Sequence, residues 1–130
     1  MKKLPDIIKF VSLESVGENT GHRYVGSFRL KVLITHDQRF AIERTYKEML
    51  PDDVGVIQEI KIRCGAIAEL EHRVVEAPLW WRDSRNGRDL IDSQPLYDMM
   101  IHISEKYEEW KSELQKEVAE PNVPTEQSSS

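Results

Sequence analysis

Between Arg23 and Ile34 the chain alternates: Tyr24, Gly26, Phe28, Leu30, Val32 and Ile34 fall on one side, Arg23, Ser27, Arg29 and Lys31 on the other. This is the pattern of a strand with one buried face and a basic outer face. Before it, Ile7-Ile8-Lys9-Phe10-Val11-Ser12-Leu13 is short, β-branched and aromatic, and is followed by the turn-prone Gly17-Glu18-Asn19-Thr20-Gly21. The two runs predict a long-looped hairpin.

The periodicity then changes. Thr35 and Gln38 are spaced as a capping box, predicting a helix that begins there and runs to about Leu50, where Pro51 stops it. Val54, Ile57, Ile60, Cys64, Ile67 and Ala68 recur at helical spacing and predict a second, central helix. Gly65 weakens it by on the order of 1 kcal/mol relative to Ala, as a close approach of another backbone would require. Leu70 to Val75 either extends this helix or forms a third strand; its alternation and β-branched pair favour the strand.

A last helix, about 93–118, is capped by Asp92 or Ser93 and accommodates Pro95 in its first turn. Leu96, Met100, Ile103, Tyr107, Trp110 and Leu114 form its heptad-like stripe, with Met99 beside them. The helix is long for so small a domain, so its distal half, from Tyr107, is expected to overhang. The fold class expected is therefore α+β: a small antiparallel sheet, hairpin plus third strand, packed by two helices, with a long C-terminal helix. Residues 1–118 form a single domain and 119–130, with two prolines and a closing Ser-Ser-Ser, a disordered polar tail dispensable for folding.

Between strand and last helix lies residues 77–92, the segment that organises the chain. It sets Trp80 and Trp81 side by side after Pro78 and before an Asn86-Gly87 turn. In an extended segment neighbouring side chains face opposite ways. One tryptophan then anchors the loop and the other covers a neighbouring helix or another subunit. Tyr107, Trp110 and Leu114 would continue an apolar seam flanked by Glu105, Glu109 and Glu113, a surface suited to a partner helix with basic edges. The alternative keeps both tryptophans and the whole stripe inside the monomer.

Charge sharpens this reading. Among 130 residues the formal net charge is -5, but residues 1–31 hold six Lys/Arg against three Asp/Glu, and residues 105–130 three Lys against seven Glu. Such polarity suits end-to-end or self-complementary contacts better than nucleic acid. Glu105, Glu109, Glu113 and Glu117 are spaced by four and form an acidic ridge that Glu108-Lys111 and Glu113-Lys116 pairs partly offset.

Catalytic and metal chemistry have little purchase here. His22, His36, His72 and His102 stand far apart, none at ligand spacing from Cys64, so no metal is expected, and the lone cysteine reads as a buried structural thiol. Asp83, Asp89 and Asp92 cluster, but Arg85 and a late Gly87 break the calcium-loop pattern. Salt bridging among Arg82, Asp83, Arg85, Arg88 and Asp89 is the better use. With no phosphate loop or nucleophile elbow, no catalytic residue or cofactor is nominated. No apolar run reaches bilayer length, and Pro5, Asp6 and Lys9 interrupt the signal-like start at Met1-Lys2-Lys3, so a cytosolic protein is expected.

Tyr24-x-Gly26-x-Phe28-x-x-Lys31, Ile34-Thr35 leading to Glu43-Arg44, and above all Val74-x-x-Ala77-Pro78-x-Trp80-Trp81 followed by Gly87-x-x-Leu90-x-Asp92 resemble small proteins encoded among the head and tail genes of long-tailed bacteriophages. These are tail assembly chaperones and minor virion proteins, and the resemblance spans about residues 22–92. It implies a non-catalytic role in the host cytoplasm or the virion. The partners would be other tail proteins, tape-measure or tube subunits, or further copies of the chain in a homo-oligomer. A cytosolic interaction module unrelated to phage, or a small enzyme, are the other classes the residues allow.

Overall fold

The computed structural model describes residues 4–52, 55 and 57–119, with side chains as far as Lys116. The hairpin forms as the alternation predicts. Strand β1 (Ile8–Val16) pairs antiparallel with β2 (Arg23–Lys31), and β2 pairs antiparallel with the short β3 (Val74–Glu76), giving a three-stranded sheet in the order β1-β2-β3. Val11, Leu13, Tyr24, Phe28, Leu30 and Val32 are buried on its inner face. The expected basic outer face is largely neutralised, since Arg23 pairs with Glu14 and Arg29 with Glu76.

Helix α1 (His36–Met49) starts at the predicted box: Gln38 N–H donates to the Thr35 hydroxyl (3.1 Å) and Thr35 N–H to the Gln38 side chain (2.8 Å). Thr35→Ala is expected to lower stability by about 1 kcal/mol. Urea unfolding checks it, and Thr35→Ser should restore most of the loss.

Helix α2 (Gln58–Arg73) starts later than the sequence suggests, with Ile57 in extended backbone as its N-cap, and runs further at its C-terminal end; Val54 lies outside the described residues. Leu70 to Arg73, favoured above as strand, continue the helix because both ends of this turn are bonded inward. Leu70 is fully buried, and Arg73 donates to Glu69 (2.7 Å) and to the carbonyls of Lys31 and Val32 (2.9 and 3.2 Å) at the end of β2. Gly65 marks no backbone approach, its open side facing only the Tyr46 ring edge. Cys64 is buried, which pushes its thiol pKa up.

The segment 77–92 is not extended. Pro78 opens a single helical turn, α3 (Leu79–Asp83), and a tight turn follows in which Arg85, Asn86 and Gly87 all take positive φ. The Ser84 hydroxyl ties that turn together, donating to Trp81 O (2.7 Å) and accepting from Gly87 N (3.0 Å). Helical winding turns Trp80 and Trp81 by about 100° rather than 180°. Both therefore reach Phe28, at ring-centroid distances of 6.0 and 5.5 Å. The opposite-facing expectation fails for that reason.

Helix α4 (Gln94–Ala119) lays its stripe on the sheet, burying Leu96, Met99, Ile103 and Trp110. Its distal half does not overhang at Trp110: the indole N–H donates to Pro5 O (3.1 Å), and Lys9 reaches Glu113 (2.7 Å). No described helix is long and apolar enough to cross a membrane. Residues 120–130 of the expected tail lie outside the described residues.

Candidate functional site: a groove between two helices

Helices α2 and α4 pack side by side under the sheet and leave a trough between them. At one end a hollow of about 430 Å³ is floored by Gly65, Ala66 and Met100 and walled by Ile62, Tyr97 and Ile101. Met100 and Glu69 also line the next hollow, about 610 Å³, which continues past Ile103, Ser104 and Tyr107 to the linker Val32–His36. Ile62 and Ile101 remain 49% and 55% exposed. Apolar side chains of α2 and α4 thus face water in the first hollow, and Met100 leads on to Ile103 and Tyr107 in the second, where Glu69, Arg73 and Arg39 join the lining.

The polar part of the second hollow is a compact ionic group centred on Glu69, where the two hollows meet. Glu69 accepts from Arg39 Nη1 (2.6 Å) and Arg73 Nε (2.7 Å). Burial alone would push the Glu69 carboxyl up, but the two guanidiniums outweigh it and hold it below its usual range. Arg73 is buried and spends further donors on the backbone of Lys31 and Val32. Arg39 is half-exposed with one bonded nitrogen, and two arginines against the one Glu69 carboxylate leave this part of the groove with a net positive charge. A carboxylate held ionised by two arginines makes a poor proton donor or acceptor near neutral pH. The arrangement is better suited to binding than to acid-base work.

The nominated partner residues divide between core and surface. Trp81 is 0% exposed and Trp110 is buried, so neither offers its ring to a partner. Trp80 is half-buried; its indole N–H donates to Val25 O (2.9 Å), taking a β2 carbonyl on the side where the three-residue β3 falls short. Gly26 permits this approach, because a Cβ there would meet Pro78 Cγ at 2.6 Å. Tyr107 stacks on Trp110 (6.5 Å, interplanar 11°), carries Lys111 over its ring, and lines the groove. Leu114 is half-buried beside the same cluster.

Glu105, Glu109 and Glu113 are exposed, but each has a cationic or imidazole neighbour: His102 at 3.5 Å, Lys106 at 3.4 Å and Lys9 at 2.7 Å. Glu108 takes Lys111 as expected, whereas Glu113 turns to Lys9. The Glu117 side chain lies outside the described residues. In the arginine-rich turn Arg85 pairs with Asp89 (2.8 Å), while Arg88 leaves it for Glu71 (2.8 Å).

The polar group that sequence reasoning missed sits at the other end of α4. Asp92 is 1% exposed and accepts from Asn19 N (2.8 Å), Thr20 N (3.0 Å), the Thr20 hydroxyl and the Tyr24 hydroxyl (2.7 Å). These bonds, Thr20's first, hold its carboxyl at about 2. Gly17 leaves room for it; a Cβ there would lie 2.1 Å from Asp92 Oδ2. Nor does Asp92 or Ser93 supply a side-chain cap to α4. Glu18 does so from the hairpin loop, accepting from Ser93 N and Gln94 N, both within 3.0 Å. Among the described residues no three His, Cys, Asp or Glu side chains converge as a metal site.

No protein family, curated protein or solved structure matches the chain.

Proposed function

We propose that the protein is a non-catalytic binding protein whose working surface is the α2–α4 groove. The observation that carries this reading is a pair of adjoining hollows, an apolar one at Ile62, Tyr97 and Ile101 and a mixed one from Met100 to Tyr107 that also takes in Arg39 and His36. From Tyr97 to Tyr107 the groove runs about 15 Å, room for roughly three turns of a helix. Its occupant is an amphipathic helix that lays apolar residues along the trough and carries carboxylates at the Arg39 end.

The setting we propose is bacteriophage tail assembly, with the protein as an assembly chaperone or minor virion protein in the host cytoplasm. The pattern in residues 22–92 supports it. The helix held would then belong to a tape-measure or tube subunit awaiting polymerisation, or to another copy of the chain.

Ile62→Glu with Ile101→Glu places two charges in the trough at half-exposed positions. Capture of tail proteins expressed from the same locus should fall by at least about tenfold while the melting temperature changes little. Undiminished capture by this variant defeats the groove. Failure of the unaltered protein to bind any tail component defeats the phage setting.

A further inference from the structure

β1 forms one margin of the sheet, and its hydrogen-bonding pattern fixes which groups face outward. Val32 N donates to Ile7 O and Gly17 N to His22 O, both at 2.8 Å, so these pairs bracket the ladder. With the register Lys9↔Leu30, Val11↔Phe28, Leu13↔Gly26 and Ser15↔Tyr24, every second residue of β1 is bonded to β2. The intervening Phe10, Ser12, Glu14 and Val16 turn N–H and C=O to the open side, where no described strand pairs with them. Only Ile8 N, at the start, is taken, by Asp6 Oδ1 (3.0 Å).

Exposed edges are usually blunted by proline, by a bulge or by charged side chains, inward-pointing ones included. β1 has no proline and its pairing with β2 is unbroken; its two charges, inward Lys9 and outer Glu14, are each held in an ion pair, with Glu113 and Arg23. Phe10 stands 56% exposed on the outer face.

The charge beside this edge selects among occupants. Ser15 bonds Asp98 (2.6 Å) and Lys9 bonds Glu113, so α4 runs antiparallel beneath β1 for its length. Fifteen helical residues rise about 22 Å and six strand residues about 20 Å, which agrees. One flank of α4 faces α2 and lines the groove. The opposite flank, along the open stretch of β1, carries Asp98, Glu105 and Glu109 against Lys106, with His102 between them. An added strand would place alternate side chains above that flank. A second copy paired β1 to β1 would instead bring two such acidic flanks together.

We infer that the β1 edge is a strand-addition site for an extended, basic segment of a partner protein. Four outward N–H and C=O pairs supply the ladder, and lysine or arginine at every second position meets Asp98, Glu105 and Glu109. This surface is separate from the α2–α4 groove and stands whether or not the groove binds a helix.

A synthetic peptide of about nine residues alternating valine and lysine, blocked at both ends, is the probe. Added to the full chain, it should slow amide exchange at Phe10, Ser12, Glu14 and Val16. Binding should exceed that of the valine-glutamate analogue by at least about tenfold. Ser12→Pro removes an edge donor while leaving β2's bonds in place, so it should abolish binding with little change in melting temperature. Glu105→Gln with Glu109→Gln should weaken binding without touching the ladder. Equal binding of the two peptides, or full binding by Ser12→Pro, overturns the inference. So does a chain that is dimeric until Ser12→Pro makes it monomeric, because the edge is then occupied by a second copy.

Discussion

Trp81→Ala is expected to destabilise the protein by about 3–5 kcal/mol, a large share of the roughly 5–15 kcal/mol that holds a domain folded. Trp81 is completely buried, meets Phe28 and Trp80 edge to face at 5.5 and 6.0 Å, and lies, as Leu96 does, against Gly87. Its removal empties the place where sheet, α3 turn and α4 meet. Trp81→Phe should cost less than half as much. It keeps an aromatic ring there and discards an indole N–H that has no partner among the described residues, an orphan worth roughly 1–3 kcal/mol. Trp80→Ala should fall between them, since its ring is only part-buried but its bond to Val25 is lost. Chemical denaturation of the three variants gives the order, and a Trp81→Ala protein as stable as the parent would contradict the packing described.

What the residues revealed and what they hid follow one physical division. Alternation in β2, the Thr35 box and the α4 stripe were legible because each is written within a few neighbouring positions. The α3 turn was not, since five residues are too few to hold a helix by propensity. Pro78 against Gly26 and two indoles against Phe28 hold it instead. Arg73 likewise keeps Leu70–Arg73 helical through carbonyls more than forty residues away in the chain. The groove shares this character. Tyr107 was nominated from the stripe, but Ile62, Met100 and Arg39 become one surface only after α1, α2 and α4 have packed.

The two faces of α4 also give the early charge asymmetry a location. Toward α2 it borders an apolar hollow at Ile62 and Tyr97 and a mixed one that holds Arg39 and His36; away from α2 it carries Asp98, Glu105 and Glu109. Glu105, Glu109 and Glu113 of the acidic ridge therefore lie away from the groove, and their repulsion is eased by Lys106 and Lys9. On the two proposals above, the groove and the β1 edge would take two separate segments of partner chains.

Asp92→Asn is the second change expected to have a large effect, and acid should reveal it. Asp92 joins the hairpin loop to the entry of α4, where Glu18 caps the first turn. An asparagine amide can still accept from Tyr24, but its NH2 group would confront the Asn19 and Thr20 donors, so one end of the site is left unbonded. The melting temperature near neutral pH should drop by at least about 4 °C, with faster amide exchange at Asn19 and Thr20. The folded carboxyl, at about 2 against an ordinary 3.8, holds its proton more weakly than the unfolded chain does. Its contribution is therefore complete above pH 3.8 and is lost as pH falls through about 2. Glu18 is also held low: burial would raise its carboxyl, but the Gln94 and Ser93 N–H groups outweigh it. The variant should thus keep some acid sensitivity, yet its deficit relative to the parent should narrow between pH 4 and 2. A deficit that stays constant over that interval would mean that the ionised carboxylate is not what ties the hairpin to α4.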